Sequence, residues 1–184
     1  PVKASVNAQK VSAELAKAGV AAAPSTSALE IVFHRSASLD DGRFNNSGWM
    51  QELPDPITKV VWENVILVSA ATAKALGLRC ALLREKLAEK DRASAYKSND
   101  LGVPFEKTDV VEVSIGGRKV TGAVFIQPGL ADNTLGIELG YGRVKTGRVG
   151  TGAGFNAYAL RTSDAPYIAG GAKLTATGAV ERVV

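Results

Sequence analysis

One cysteine, Cys80, and one histidine, His34, are all the chain has of the two side chains that most often ligate metals or attack substrates. A single thiol excludes a disulfide framework, a CxxC pair and cysteine ligation of zinc or an iron–sulfur cluster within these residues. His34 and Cys80 lie far apart in the sequence, so both read as packing residues rather than a nucleophile and its base. Long apolar runs are missing too. No stretch approaches the ~20 residues that cross a bilayer as a helix, so no direct membrane insertion is expected. Residues 1–10 lack the basic start and apolar block of a signal peptide, and an opening Pro1 instead of Met reads as a piece excised from a longer chain. Charge of one sign is scarce: 22 basic against 18 acidic residues leave +4, too dilute for the basic stripe of a nucleic-acid binder. The acids Asp40, Asp41, Asp55 and Glu63 follow no EF-hand spacing and read as solvated turn carboxylates. Neither a catalytic residue nor a metal-ligand set is expected.

What the chain does have is glycine, 19 in 184 residues, with 46% hydrophobic residues. That length suits one domain able to bury roughly 70% of its unfolded surface, and the glycines favour many turns and short strands. Residues 6–18 read as an amphipathic helix through Val6, Val11 and Leu15, stopped by Gly19, and residues 20–27 as a linker. ALEIVF at 28–33 alternates like a first strand. Residues 40–56 read as a long irregular connection, pinned to the core by Trp49, Met50 and Leu53. Trp49 and Trp62, on either side of Pro54-Asp55-Pro56, read as plugs over a barrel end. VILV at 65–68 is a strand buried on both faces. Ser69 then caps a helix over 70–76 that Gly77 ends. A second amphipathic helix is expected over 79–95 and a loop over 96–107. Alternating runs at 108–115 and 118–126 around Gly116-Gly117 predict a hairpin with a primed turn, and Pro128-Gly129 a type II turn. Residues 134–139, 157–161 and 173–177 complete the strands, the last one continuing toward Val184. Short strands with few crossover helices predict a closed or nearly closed barrel over 28–184, with a helical insertion at about 79–107. Self-cleaving barrel decarboxylases need a Gly-Ser bond, and the chain has none.

GYGRVKTGRVGTGAG at 140–154 places six glycines beside Arg143, Lys145 and Arg148, with no acid. Glycines let backbone N–H groups converge on an anion, which makes a phosphate-bearing ligand one reading. The run matches neither a P-loop nor a strand–GxGxxG–helix unit, so a long barrel loop is the favoured one. A stand-alone anion-binding barrel, with salt-dependent binding through those three basic residues, stays open.

The run NNSGWMQELPDPITKVVW at 45–62, followed by ENVILVSAATAKALGL at 63–78, resembles the last domain of the molybdopterin oxidoreductases, the dimethyl sulfoxide reductase superfamily. It is most similar to the large iron–sulfur subunit of alternative complex III, a bacterial quinol-oxidising membrane complex. Stretches 109–124, 126–143 and 148–161 agree in the same order, so the likeness covers most of residues 45–161. The resemblance implies a mainly β fold, a double-psi β-barrel of the molybdopterin-dinucleotide-binding-like, aspartate-decarboxylase-like type. In molybdenum members that barrel closes over the dinucleotide part of molybdopterin guanine dinucleotide. Asn156 is similar to a cofactor-contacting Asn before a late strand, the Ser69–Ala70 turn to another cofactor-facing turn, and Gly140, Gly142 and Arg143 to the residues near a position where molybdenum members commonly carry His.

The likeness to alternative complex III implies no molybdenum, with iron–sulfur clusters held elsewhere in the parent chain. The inherited role would be structural, on the periplasmic side of the inner membrane, against other domains of the same polypeptide and subunits of a respiratory complex. A functional molybdopterin guanine dinucleotide-binding domain is the alternative.

Overall fold

In the computed structural model, which describes residues 5–18, 22–79 and 107–183, six strands close a mixed β-barrel. The strands are β1 (Leu29–Arg35), β2 (Ile66–Val68), β3 (Lys107–Ile115), β4 (Arg118–Ile126), β5 (Thr134–Leu139) and β6 (Ile168–Arg182), in the spatial order β1-β5-β2-β4-β3-β6. The pairs β1/β5 and β2/β4 run parallel; the other four contacts are antiparallel. Helices are short: α1 (Ala8–Ala18), α2 (Gly48–Glu52), α3 (Ala70–Ala75) and α4 (Gly147–Gly150), with a 3-10 turn at Ala157–Ala159.

Alternation decides which side chains fill the barrel. On β1, Leu29, Ile31 and Phe33 point inward while Glu30, Val32 and His34 are only half-buried. Ile66 and Val68 from β2, Val111 and Val113 from β3, and Leu135, Ile137 and Leu139 from β5 meet them in one cluster. Each such fully buried side chain stabilises the fold by about 2 kcal/mol. At the β3–β4 hairpin, Gly116 and Gly117 both take positive φ, 54° and 78°, the pair a primed turn requires. Gly129 follows Pro128 at φ 84°, and Leu130 N–H closes that turn on Gln127 O at 3.2 Å.

Strand β6 serves two neighbours. Its first residues pair with β1 and its later ones with β3, and the register shifts once in each pairing. Such bulges bend a strand enough to close a barrel. Ser69 caps α3 as its position requires, its hydroxyl accepting from Thr72 N–H at 3.0 Å, and Gly77 takes φ 66° beyond the last turn. Arg79 and Asp109 clasp each other where the chain leaves and re-enters the barrel, with Arg79 N–H and side chain both donating to the buried carboxylate at 2.8–2.9 Å. The helix expected over 79–95 and the loop over 96–107 fall almost wholly outside the described residues, as does Cys80.

Three expectations fail. Residues 157–161 form a 3-10 turn, not a strand, because the Asn156 side chain accepts from Tyr158 N–H and starts a helical turn. Trp49 and Leu53 do not pin the 40–56 connection: they are 85% and 55% exposed, while Asn45 and Gln51 are fully buried. Nor does either tryptophan plug the barrel. Phe155 fills that role, its ring lying where a Cβ on Gly122 would stand, with Ala157 and Leu160 buried behind it. Helix α1 forms, yet Val6, Val11 and Leu15 are all exposed.

Candidate functional site

Strand β5 delivers the chain to the first of two concavities. Beyond Leu139, Gly140 turns at φ 113° against the backbone of Gly42, and Tyr141 follows, nearly buried. Gly140, Tyr141 and Arg143 then face Asn156 and Tyr158 from the 3-10 turn and Asp41 and Arg43 from the β1–α2 connection, around a pocket of about 500 Å³. The fold therefore brings Gly140, Arg143 and Asn156 together, with Gly142 packed beneath Asn156. Sequence reasoning missed Asp41, Arg43, Tyr141 and Tyr158, whose only signal was an Asp-Asp-Gly-Arg turn read as solvated.

Ser69 is elsewhere. It follows β2, which runs antiparallel to β5 with Val68 opposite Leu135 and Ile66 opposite Ile137. Ser69 thus lies toward the start of β5 while Gly140 lies past its end, roughly 17 Å along a strand of this length. Its hydroxyl is also fully used. A carboxylate only accepts, so Ser69 donates to Asp132 at 2.6 Å and accepts from Thr72 N–H at 3.0 Å, while Thr72 Oγ1 accepts from Asn133 N–H at 2.7 Å. The Ser69–Ala70 turn anchors α3 to the loop before β5.

The polar groups of the first pocket mostly satisfy one another. The Arg43 side chain grips Asp41 at 2.8–3.0 Å and holds its carboxyl well below the usual carboxylate range, and Arg43 also reaches Asp40 at 3.1 Å. Arg143 donates to Gly42 O at 3.0 Å and Tyr158 OH to Asp41 O at 2.9 Å. Within the glycine-rich loop, Gly142 N–H goes to Ala153 O at 2.7 Å and Gly152 N–H to Arg143 O at 3.1 Å. The glycines make room for protein. A Cβ on Gly142 would overlap the Phe155–Asn156 backbone, on Gly147 the Asn46 side chain, on Gly150 Asn45, and on Gly154 Asn64. A pocket of this size admits a nucleotide, although the N–H groups of Gly142 and Gly152 are spent within the loop and Asp41 adds a negative charge beside Arg43 and Arg143. Among the described residues no group of three or more His, Cys, Asp or Glu could hold a metal ion.

The second concavity lies outside the barrel, between β1, β2 and β5 and the turn that begins at Asp55. His34 on β1 pairs in register with Glu138 on β5, and both face outward because their neighbours Phe33, Ile137 and Leu139 face in. Val65, Leu67, Pro56, Ile57 and Thr58 complete much of a cavity of about 360 Å³ that also includes Asp55. The Asp55 carboxylate accepts from Ile57 N–H, Thr58 N–H and Thr58 Oγ1 at 2.7–2.9 Å, all at Oδ1. Burial opposes its ionisation, but those hydrogen bonds outweigh it and lower its pKa. Glu138 goes the other way: burial first, and negative Asp55 as well, push it up to about 7 against hydrogen bonds from Ser36 and Ala37.

That shift has a sign for stability. A carboxyl whose folded pKa lies above its ordinary value stabilises the fold below that ordinary value, and the contribution is lost as pH rises through 7. Glu138→Gln is expected to be neutral at pH 4 and to stabilise the chain by about 2 kcal/mol at pH 8, read from urea unfolding at both pH values. Equal effects at the two would refute the assignment.

Compared with protein-family models and with curated proteins, the chain finds no match. Among the described residues no helix is long and apolar enough to cross a membrane.

Proposed function

We propose that this chain is a non-catalytic, molybdopterin-dinucleotide-binding-like barrel module of a larger iron–sulfur oxidoreductase subunit, and that its role is structural. The carrying observation is the filled loop at 140–154. Gly142, at a position the resemblance places near the cofactor, here packs on the Phe155–Asn156 backbone, and the loop glycines 147, 150 and 154 pack on Asn46, Asn45 and Asn64. The strand order supports the finer assignment to a double-psi barrel, since the parallel pairs β1/β5 and β2/β4 join strands distant in sequence within one closed mixed sheet.

The surface supports the same reading. Phe44, Trp49, Leu53 and Ile57 stand 48–85% exposed on one connection, apolar groups that a neighbouring domain could cover. The partners in this proposal are sibling domains of the same polypeptide and the subunits of a respiratory complex on the periplasmic side of the inner membrane. Both come from the resemblance.

A second reading, a working dinucleotide site, draws on the 500 Å³ pocket and its Arg43, Arg143 and Asn156. Titrating the chain with GDP while following backbone amide signals separates the two. The structural role expects Gly140, Gly142, Arg143 and Asn156 to stay unmoved at millimolar GDP. Saturable shifts centred on Asn156 would transfer the assignment to the second reading.

A further inference from the structure

We propose that the cavity between the outer face of β1, β2 and β5 and the Asp55–Thr58 turn is a binding site for a small organic ammonium ion, a protonated amine carrying a compact apolar body. The site is independent of the 140–154 loop and shares only Ile57 with the exposed connection above.

The cavity's two carboxyls keep acceptor capacity, whereas His34 Nε2, also without a partner, has no exposed surface. His34 Nδ1 lies 3.3 Å from Arg35 O, and a carbonyl can only accept, so in the neutral ring Nδ1 carries the proton and Nε2 a bare lone pair. That Nε2 is buried with no partner. The hydrogen bonds to Asp55 crowd onto Oδ1 and leave Oδ2. Glu138 receives Ser36 and Ala37, two of the roughly four hydrogen bonds a carboxylate accepts. Of the donors at the cavity, Thr58 is committed to Asp55, Arg35 is drawn away to Asp40 at 3.1 Å, and the Gln127 amide reaches Pro128 O at 3.5 Å.

A ligand that completes this set must bring N–H donors and positive charge. Val65, Leu67, Pro56 and Ile57 supply the apolar wall for its body. An anion would meet two carboxyls, and a neutral alcohol would leave Asp55 without a counter-charge. Bare metal ions are a poorer match, since the apolar wall offers no ligand.

The groups facing Glu138 set the pH dependence. Asp55 stays ionised, and Arg35 stays positive but turned toward Asp40. Tyr141, held neutral by burial and by Glu138, Glu63 and Asp55, carries no charge. A cation prefers ionised Glu138, so affinity rises with pH through about 7.

The probe is benzylamine, titrated into the intact chain by calorimetry and amide NMR at pH 6 and pH 8, beside benzyl alcohol and phenylacetate. Benzylamine is expected to shift the amides of His34, Ile57 and Glu138, with affinity rising up to roughly tenfold between the two pH values. Glu138→Gln should flatten most of that rise and weaken binding at pH 8, with its unfolding curve showing that the variant is folded. Benzyl alcohol or phenylacetate binding as tightly as benzylamine would overturn the proposal. So would the absence of shifts around the cavity with all three probes, or an unchanged pH slope in a folded Glu138→Gln variant.

Discussion

Gly142→Ala should destabilise the chain by about 3 kcal/mol or more, a large fraction of the 5–15 kcal/mol that holds a domain together. Two penalties combine. Gly142 has φ 73°, where a side chain costs about 1 kcal/mol. Its Cβ would also overlap the backbone of Phe155 and Asn156, which cannot step aside by changing rotamer. That backbone carries the Phe155 ring seated over Gly122 and the Asn156 cap of the 3-10 turn, so a displacement passes directly into the barrel plug. Gly152→Ala is the internal control. It has φ 83° in the same loop, yet its Cβ would have nothing within 4 Å, so only the conformational cost of about 1 kcal/mol applies. Urea unfolding of the two variants measures the difference. Equal losses would mean that the glycines serve backbone freedom alone, and the close-packing account of the loop would fail with them.

The contrast marks where local pattern is informative. The β3–β4 hairpin, the Pro128-Gly129 turn, β5 and the Ser69 cap were all legible, because each is decided by residues within a few positions: alternation, two adjacent glycines, a hydroxyl before a helical turn. The 40–62 connection was not. Hydrophobicity chose Trp49, Met50 and Leu53 to pin residues 40–56 and said nothing of Asn45 or Gln51, yet Trp49 and Leu53 are exposed and the two amides are buried. Asn45 is buried because its Nδ2 donates to Gly140 O at 2.9 Å, 95 residues away, and Gln51 because its Nε2 donates to Asn45 O at 2.7 Å. A distant carbonyl in need of a donor leaves no mark on the residues around the asparagine that supplies it. The short apolar run at 157–161 failed for a different reason, since helix and strand periodicity are indistinguishable over five residues. His34 and Glu138 were out of reach as neighbours because a parallel register between β1 and β5 depends on how the barrel closes. Of the candidate residues, Gly140, Arg143 and Asn156 line one pocket, whereas Ser69 lies at the opposite end of β5.

Asn64 makes three side-chain hydrogen bonds to distant backbone and should be costly to replace. It is 2% exposed and follows Trp62 and Glu63 at the entry to β2. Its Nδ2 donates to Glu138 O at 2.9 Å and Phe155 O at 3.1 Å, and its Oδ1 accepts from Phe155 N–H at 2.8 Å. One amide thus ties the end of β5 to the segment that plugs the barrel, in the manner of a short strand pair. Asn64→Ala strands three buried backbone groups, at about 1 kcal/mol or more each, for a loss of about 3 kcal/mol. Asn64→Asp keeps the shape and should cost more, about 4 kcal/mol at pH 8, because an acceptor replaces the donor facing two carbonyls and a negative charge is buried near Glu138 and Asp55. Burial and those neighbours would raise the new carboxyl's pKa in the folded state, so the loss should shrink at pH 5, where a protonated carboxyl again donates to one carbonyl. Unfolding free energies at both pH values give the check, beside Trp49→Ala, which removes an exposed side chain and should stay within about 0.5 kcal/mol of the parent. A pH-independent Asn64→Asp penalty, or one no larger than that of Trp49→Ala, would show that the plug does not depend on this amide.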